Sequence, residues 1–303
     1  MAYFLNNLFS VILPICITVI VTLAITIIFK TSYTTNFAQG VISAFGAYVA
    51  ASALNSAGLS IWLAVPLGAL AAMTIAVCVD VFIFRRGRYV TGLGKQIITM
   101  GLISIIVGAV PLIFGADAPG FVRFAEGNSS FSIGDSTVNV NNNALVCMAI
   151  TVVIVVAIFV LLRYSKWGLS VRCTASNEYV AEMVGINTHV VTGISWGLAG
   201  ALGALAAAMA ASSTYSITSV YLMTNYQVNA FLAGILGGFA TFYGPVVAAI
   251  LIPLASSLIT WFANVIDVPE LSRWAMVIVY ALALLAIFFK PQGLFGKKSV
   301  KKV

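Results

Sequence analysis

The side chains able to do chemistry are few, and their spacing decides what kind. A single histidine, His189, stands in the 303 residues. Nucleophilic catalysis of the Ser–His–Asp kind needs a partnered imidazole. No acid is near His189 in sequence, so it reads as a solvated loop histidine. The run Gly92-Leu-Gly94-Lys95-Gln96 places a glycine before a lysine. A phosphate loop also needs a glycine five residues earlier and Ser or Thr after the lysine. Tyr89 and Gln96 hold those places, so ATP chemistry is expected on another chain. Cys16, Cys78, Cys147 and Cys173 fit no zinc or redox spacing; three lie in apolar runs and read as small core hydrophobes. Asp80 is the deepest acid, about one helical turn before Arg85. It reads as an interfacial carboxylate near Arg85 and Arg86; the other use would be a proton site. No catalytic residue and no metal site is expected.

Composition explains the scarcity. The chain is 61% hydrophobic and 8% charged, whereas soluble domains carry about 25% charged residues. Lipid as solvent accounts for the deficit, because lipid-facing surface must be apolar. At roughly 20 residues per span, the length allows about ten spans at most. No stretch of ordinary polarity is long enough for a soluble domain, so residues 1–303 read as one membrane domain. Apolar runs cover 8–29, 37–54, 61–84, 97–114, 144–162, 190–211, 231–241, 246–262 and 274–289. The fold class expected is all-α: a polytopic membrane protein with about 8–10 transmembrane or half-membrane helices. The first run lacks a basic n-region and a small-residue cleavage site, so it does not read as a removed leader.

The net charge of +7 could suggest nucleic acid, but the cations sit between apolar runs and form no continuous patch. Lys and Arg are retained on the cytoplasmic side of membrane proteins. Alternating sides along the nine runs puts thirteen of the fifteen on one side, leaving Arg123 and Arg273 on the other. The loops 85–95 and 163–189 and the tail 290–303 are therefore expected in the cytoplasm. The loop 115–143 and the turn 266–272 are expected outside. Trp62, Trp261 and Trp274 then fall at the outer interface, where indoles settle.

Two runs, 37–54 and 231–241, are short and interrupted by glycine, as broken or re-entrant helices are. Such segments in the two halves point to a substrate path between repeats. Asn36 and Gln39 are the path candidates, as polar groups beside an apolar span. Gly197, Gly200, Gly203 and the pair Gly234/Gly238 place small residues on helix faces and are expected at close helix contacts. The centres of the spans carry no fixed charge. That suits a small zwitterion or neutral solute and implies an energy source outside the membrane domain.

The stretch 172–186 holds a short amphipathic helix. Ser176 can cap it, Glu178 suits its first turn, and Gly185 can end it in a left-handed conformation. Tyr179/Met183 and Val180/Val184 are i,i+4 pairs on one apolar surface. Pattern alone leaves two homes for that face: the membrane surface or a groove in a partner protein.

Four blocks carry a resemblance to a known family. They are Asn36-Phe37-Ala38-Gln39-Gly40 with Gly46-Ala47-Tyr48; Asp80 to Arg88 followed by Ile98-Thr99-Met100-Gly101; Gly168-Leu-Ser-Val-Arg172-Cys-Thr-Ala with Ala181, Gly185, Ile186 and Asn187; and Pro291-Gln292-Gly293-Leu294-Phe295-Gly296. In this order, end to end, they resemble the integral permeases of high-affinity branched-chain amino acid ABC importers. Three positions depart from the family pattern: Val81 stands where an arginine is usual, Tyr179 where an acid is, and Gln39 where histidine is common.

The resemblance implies a type II-like ABC importer permease in a bacterial cytoplasmic (inner) membrane, with its C-terminus in the cytoplasm. Its implied partners are a second permease subunit, two ATP-binding cassette subunits carrying ATP and Mg, an extracytoplasmic solute-binding protein and membrane lipid. It implies no cofactor on this chain. The implied ATPase-coupling residues are Arg172, Asn177, Glu178, Val180, Ala181, Val184, Gly185 and Ile186. Relatives of the family carry urea, short amides, sugars or nucleosides, so these stay open as substrates. An ion-coupled carrier or channel for a small neutral solute is the competing reading from the residues themselves.

Overall fold

The computed structural model describes residues 2–87, 90–115, 117–133, 136–217 and 219–296. Arg88, Lys297, Lys298, Lys301 and Lys302, which enter the charge bias above, lie outside the described residues. The helices are α1 (Ala2–Ser10), α2 (Ile12–Ser32), α3 (Gln39–Asn55), α4 (Ile61–Val79), α5 (Gly92–Phe114), α6 (Asn142–Tyr164), α7 (Lys166–Ser176), α8 (Glu178–Met183), α9 (Thr188–Thr214), α10 (Thr224–Gly237), α11 (Tyr243–Val265), α12 (Pro269–Arg273) and α13 (Ala275–Phe289). A π turn, Asp80–Phe84, continues α4. Each of the nine apolar runs lies largely in helix, although the first is broken at Val11 and the run 231–241 leaves the helix after Gly237. Among the described residues, six helical stretches are long and apolar enough to cross a membrane; α13 is a shorter apolar helix.

Among the described residues, the regular structure is helical but for an isolated bridge between Gly120 and Ser216 and a hairpin in the polar loop 115–143. There Asn128–Ile133 (β1) and Ser136–Asn141 (β2) pair antiparallel, from Asn128 opposite Asn141 to Ile133 opposite Ser136. The backbone of this stretch satisfies itself by pairing strands. The hairpin abuts α1, where Asn6 Oδ1 accepts from the Asn139 amide.

Helix α2 lies at the centre, packed by α6, α7, α9, α10 and α11. Ile17, Ile20, Leu23 and Ile27 have no exposed surface. Apolar burial gives little association energy in lipid, so close packing and satisfied polar groups hold such bundles. Thr18, Thr22 and Thr26 accordingly donate to the carbonyls of Pro14, Thr18 and Thr22 at 2.7–2.8 Å. On the periphery, Leu112 is 88% exposed and Phe289 82%, apolar side chains of the kind that surface in contact with lipid must carry.

Helices α3, α4 and α9 pack closely on one another, and α9 also lies against α2. A Cβ at Gly200 would stand 2.5 Å from the Ala72 carbonyl oxygen, and one at Gly197 3.0 Å from Val77 Cγ2. One at Gly203 would collide with Ser43 and Gln39. At all three glycines an added Cβ would meet atoms of a neighbouring helix. Gly234 and Gly238 do not form such a face. The ring of Phe239 folds back over Gly234, and Gly238 lies just past the end of α10 with φ +85°. The chain turns there, so the i,i+4 spacing never becomes one helix surface.

Candidate functional site

Contacts between helix ends gather Lys30 of α2, Arg85 just past the π turn, Lys95 of α5, Arg163 of α6 and Arg172 of α7 at one end of the bundle. Lys30 donates to the Ala240 carbonyl, and the Tyr33 hydroxyl to that of Ala175. Arg85 Nη2 donates to the His189 carbonyl at 2.9 Å. Segment 163–189 lies at this end, and it is two helices rather than one.

Helix α7 begins at Ser165, whose Oγ accepts from the Gly168 amide at 2.9 Å. Gly168 lies against α6; a Cβ there would strike the carbonyls of Leu161 and Leu162. Arg172 then reaches back, its Nη1 donating to the Leu162 carbonyl at 2.5 Å and toward Arg163 O at 3.4 Å. Carbonyls at a helix C-terminus have no partner in the helix. Arg172 supplies one and so fixes α7 to α6.

The cap of α8 is Asn177, not Ser176. Ser176 ends α7, and Asn177 Oδ1 accepts from the Val180 amide at 3.1 Å with extended backbone at φ −162°. Glu178 occupies the first turn, as expected. Ala181 is buried and anchors the helix. Gly185, at φ +86°, closes it: the Gly185 amide donates to Glu182 O and the Ile186 amide to Ala181 O, both at 3.0 Å. This 6→1 and 5→2 pairing is a Schellman ending, which needs a residue at ease in the left-handed region. Ile186 packs on the core. Thr188 Oγ1 bonds Glu182 Oε1 at 2.7 Å, and Asn187 caps α9 by accepting from Val190 N. A rigid bracket results, and it presents Tyr179, Val180, Met183 and Val184 outward, Val184 at 70% exposure.

Behind α8 is a cavity of about 170 Å³ lined by Asp80, Phe84, Arg85, Lys95, Glu178 and His189, among others. Asp80 is buried, and its Oδ2 lies 3.1 Å from Arg85 Nε. It is thus a paired carboxylate at a helix break, bound to Arg85 rather than to Arg86. The π turn brings the pair together, the Arg85 amide donating to Asp80 O five residues back. His189 contributes its carbonyl to Arg85. At the edge of the same region, burial and then the Glu178 carboxylate push the Tyr33 phenol above its ordinary value.

Asn36 and Gln39, the path candidates, are both buried and bonded within the chain. Asn36 Oδ1 accepts from the Ala38 amide and its Nδ2 donates to Gln39 Oε1. Gln39 Nε2 donates to the Ala199 carbonyl at 2.8 Å. They shape the break before α3. Sequence reading missed Gln227 on α10, which completes this network by accepting from the Gly40 amide and donating to the Phe37 carbonyl. The two short helices therefore meet, with the rings of Phe37 and Phe231 5.3 Å apart. The closing motif also gains a structural role, because the amides of Leu294 and Phe295 donate to the carbonyls of Leu236 and Gly237 and cap α10. Among the described residues, no three His, Cys, Asp or Glu side chains cluster to hold a metal ion.

The solved structure "PsaBC from Streptococcus pneumoniae in complex with Fab" superimposes with a TM-score of 0.50 at 13% identity, covering 93% of this chain and 91% of that one, and so shares the fold. The high-affinity branched-chain amino acid transport system permease protein LivH of Escherichia coli (strain K12) is 25% identical over 154 residues, 51% of this chain and 47% of that protein. BraD of Pseudomonas aeruginosa, a permease of the same description, is 23% identical over 154 residues, 51% of this chain and 48% of its own. The chain spans about half the length of the curated relatives it matches. The family model described as branched-chain amino acid transport system / permease component matches residues 7–287. The chain belongs to the branched-chain amino acid transport system permease family.

Proposed function

We propose that this chain is the transmembrane permease subunit of an ABC importer that moves branched-chain or related small neutral amino acids into the cytoplasm. In this reading residues 1–303 are one permease domain. The cation-rich end, with loop 163–189 and tail 290–303, faces the cytoplasm, and loop 115–143 faces outward. ATP and Mg belong to two ATPase subunits on separate chains. A second permease subunit completes the path, and an external binding protein delivers the solute.

The observation that carries the reading is the bracketed α8 with its exposed apolar face. Held at Asn177 and Gly185, such a helix can take a push without bending, and a groove in a partner would cover Tyr179, Val180, Met183 and Val184. Alternating access needs a two-state element biased by a ligand. Nucleotide-driven movement of the partners would supply the bias, and α7, fixed to α6 by Arg172, would pass it to the spans. Asp80, the deepest acid in the sequence, is already paired with Arg85, which speaks against its use in ion coupling.

The test is Val180→Glu in the assembled transporter, reconstituted in proteoliposomes. The expected result is normal membrane insertion with solute uptake lost and ATP hydrolysis no longer responding to solute. Unchanged uptake would remove α8 from the coupling path. Accumulation by this chain alone under an ion gradient would replace the reading with a secondary carrier.

A further inference from the structure

A second cleft at the cation-rich end does not belong to the site above. It measures about 340 Å³ and runs between the end of α6 and the turn joining α10 to α11. Phe159, Leu162, Phe242 and Tyr243 give it an apolar wall, and Arg163 and Arg172 stand at its polar edge. Lys30 adds a third cation, bonded to Ala240 and 5.1 Å from the Phe242 ring centroid. Among the described residues, no acidic side chain lines the cleft. Among the described residues, none of these three cations forms an ion pair.

The donors are only partly used. Arg172 spends Nη1 and Nη2 on the carbonyls of Leu162 and Arg163, leaving other N–H groups of its five-donor fork. The Arg163 guanidinium lies 5.3 Å from the Tyr164 ring centroid and, among the described residues, makes no hydrogen bond to the chain. Leading into the cleft is the outer strip of α6, where Val153, Val156 and Val160 are exposed. An anion with an apolar tail meets both needs at once. Its tail continues the lipid-facing strip, and its charge finds guanidinium groups shaped for phosphate oxygens.

We propose that this cleft binds one anionic phospholipid, its phosphate between Arg163 and Arg172 and one acyl chain against Phe159 and Leu162. The inference rests on α6 spanning a membrane and is independent of what the protein transports. Phosphate chemistry is shared with free inorganic phosphate, but the apolar wall and the valine strip assign the site to a lipid.

Native mass spectrometry of the purified protein in a neutral detergent tests this. Phosphatidylglycerol, phosphatidylcholine and inorganic phosphate are titrated separately. The expected result is one saturable phosphatidylglycerol adduct, with phosphatidylcholine bound more weakly and phosphate unable to displace it. Arg163→Gln should weaken phosphatidylglycerol binding roughly 5-fold, while Arg163→Lys keeps most of it. Arg163 is chosen because, among the described residues, its side chain makes no hydrogen bond or ion pair and touches only the neighbouring Tyr164 ring, and an unchanged melting temperature verifies that the variant is folded. Equal binding of the two lipids, displacement by phosphate at equal concentration, or indifference to Arg163→Gln would each overturn the assignment.

Discussion

Gln227 on α10 joins the break before α3 with both ends of its amide: Oε1 accepts from the Gly40 N–H at 2.5 Å, and Nε2 donates to the Phe37 carbonyl at 2.7 Å. One side chain thus serves two backbone groups that the helix break leaves open. Gln227→Leu keeps the bulk and removes both partners. Each orphaned group costs about 1–3 kcal/mol, so a clear fall in melting temperature is expected by differential scanning fluorimetry in detergent. Gln227→Glu should fall between, because a carboxylate accepts from Gly40 but cannot donate to Phe37.

Gly185→Ala places a Cβ at φ +86°. The left-handed region costs a non-glycine residue about 1–2 kcal/mol, against a helix of only six residues. Limited proteolysis should show new cleavage between Tyr179 and Asn187, with the melting temperature of the spans little changed. Protection equal to the parent protein would mean that the Schellman ending does not hold α8.

The Asp80–Arg85 pair should show its worth in a double-mutant cycle. Arg85 is one-third exposed, so solvent weakens the pair and about 1–3 kcal/mol is expected for Asp80→Asn or Arg85→Gln alone. Together they should cost less than the sum, because the double variant leaves no unpaired charge behind. Arg85→Gln should be the worse single change, since it also gives up the His189 carbonyl. Chemical unfolding of the four proteins checks the ranking.

At the far end of the chain, Gly293 has φ +83°, and a Cβ there would stand 2.5 Å from the Gly238 backbone. Gly293→Ala should push the closing motif off α10 and strip the carbonyls of Leu236 and Gly237 of their donors. A loss of about 2–3 kcal/mol is expected, from the conformation and the lost caps together. Hydrogen exchange should rise first at Leu294 and Phe295.

The spans were legible in the sequence because lipid removes polar side chains from long stretches, leaving a signal that no turn can imitate. Gly185 was readable because a short apolar i,i+4 pattern ended on it. Capping was less so. Ser176 and Asn177 are adjacent and equally able to cap, and what decides between them is that α7, started by Ser165, runs on through Ser176. The pair Gly234/Gly238 matched a helix-packing spacing, yet whether the helix continues past Gly237 depends on residues 291–296, over fifty positions away. Long-range bonds such as Gln227 to Gly40 leave no local trace. The β hairpin did leave one, in the alternation of Val138-Asn139-Val140.

Helix α2 comes before α6, α9, α10 and α11 in the chain, yet those are among the helices that enclose it. When segments are laid into the bilayer in order, α2 must stand among fatty-acid tails until its later neighbours arrive. It is built for the wait: Ile, Val and Leu point in every direction, and its threonines fold their hydroxyls onto its own carbonyls. Assembly therefore finishes by displacing lipid from around a helix already in place, so a defect in α10 or α11 would strand an inserted but uncovered axle for quality-control proteases to find.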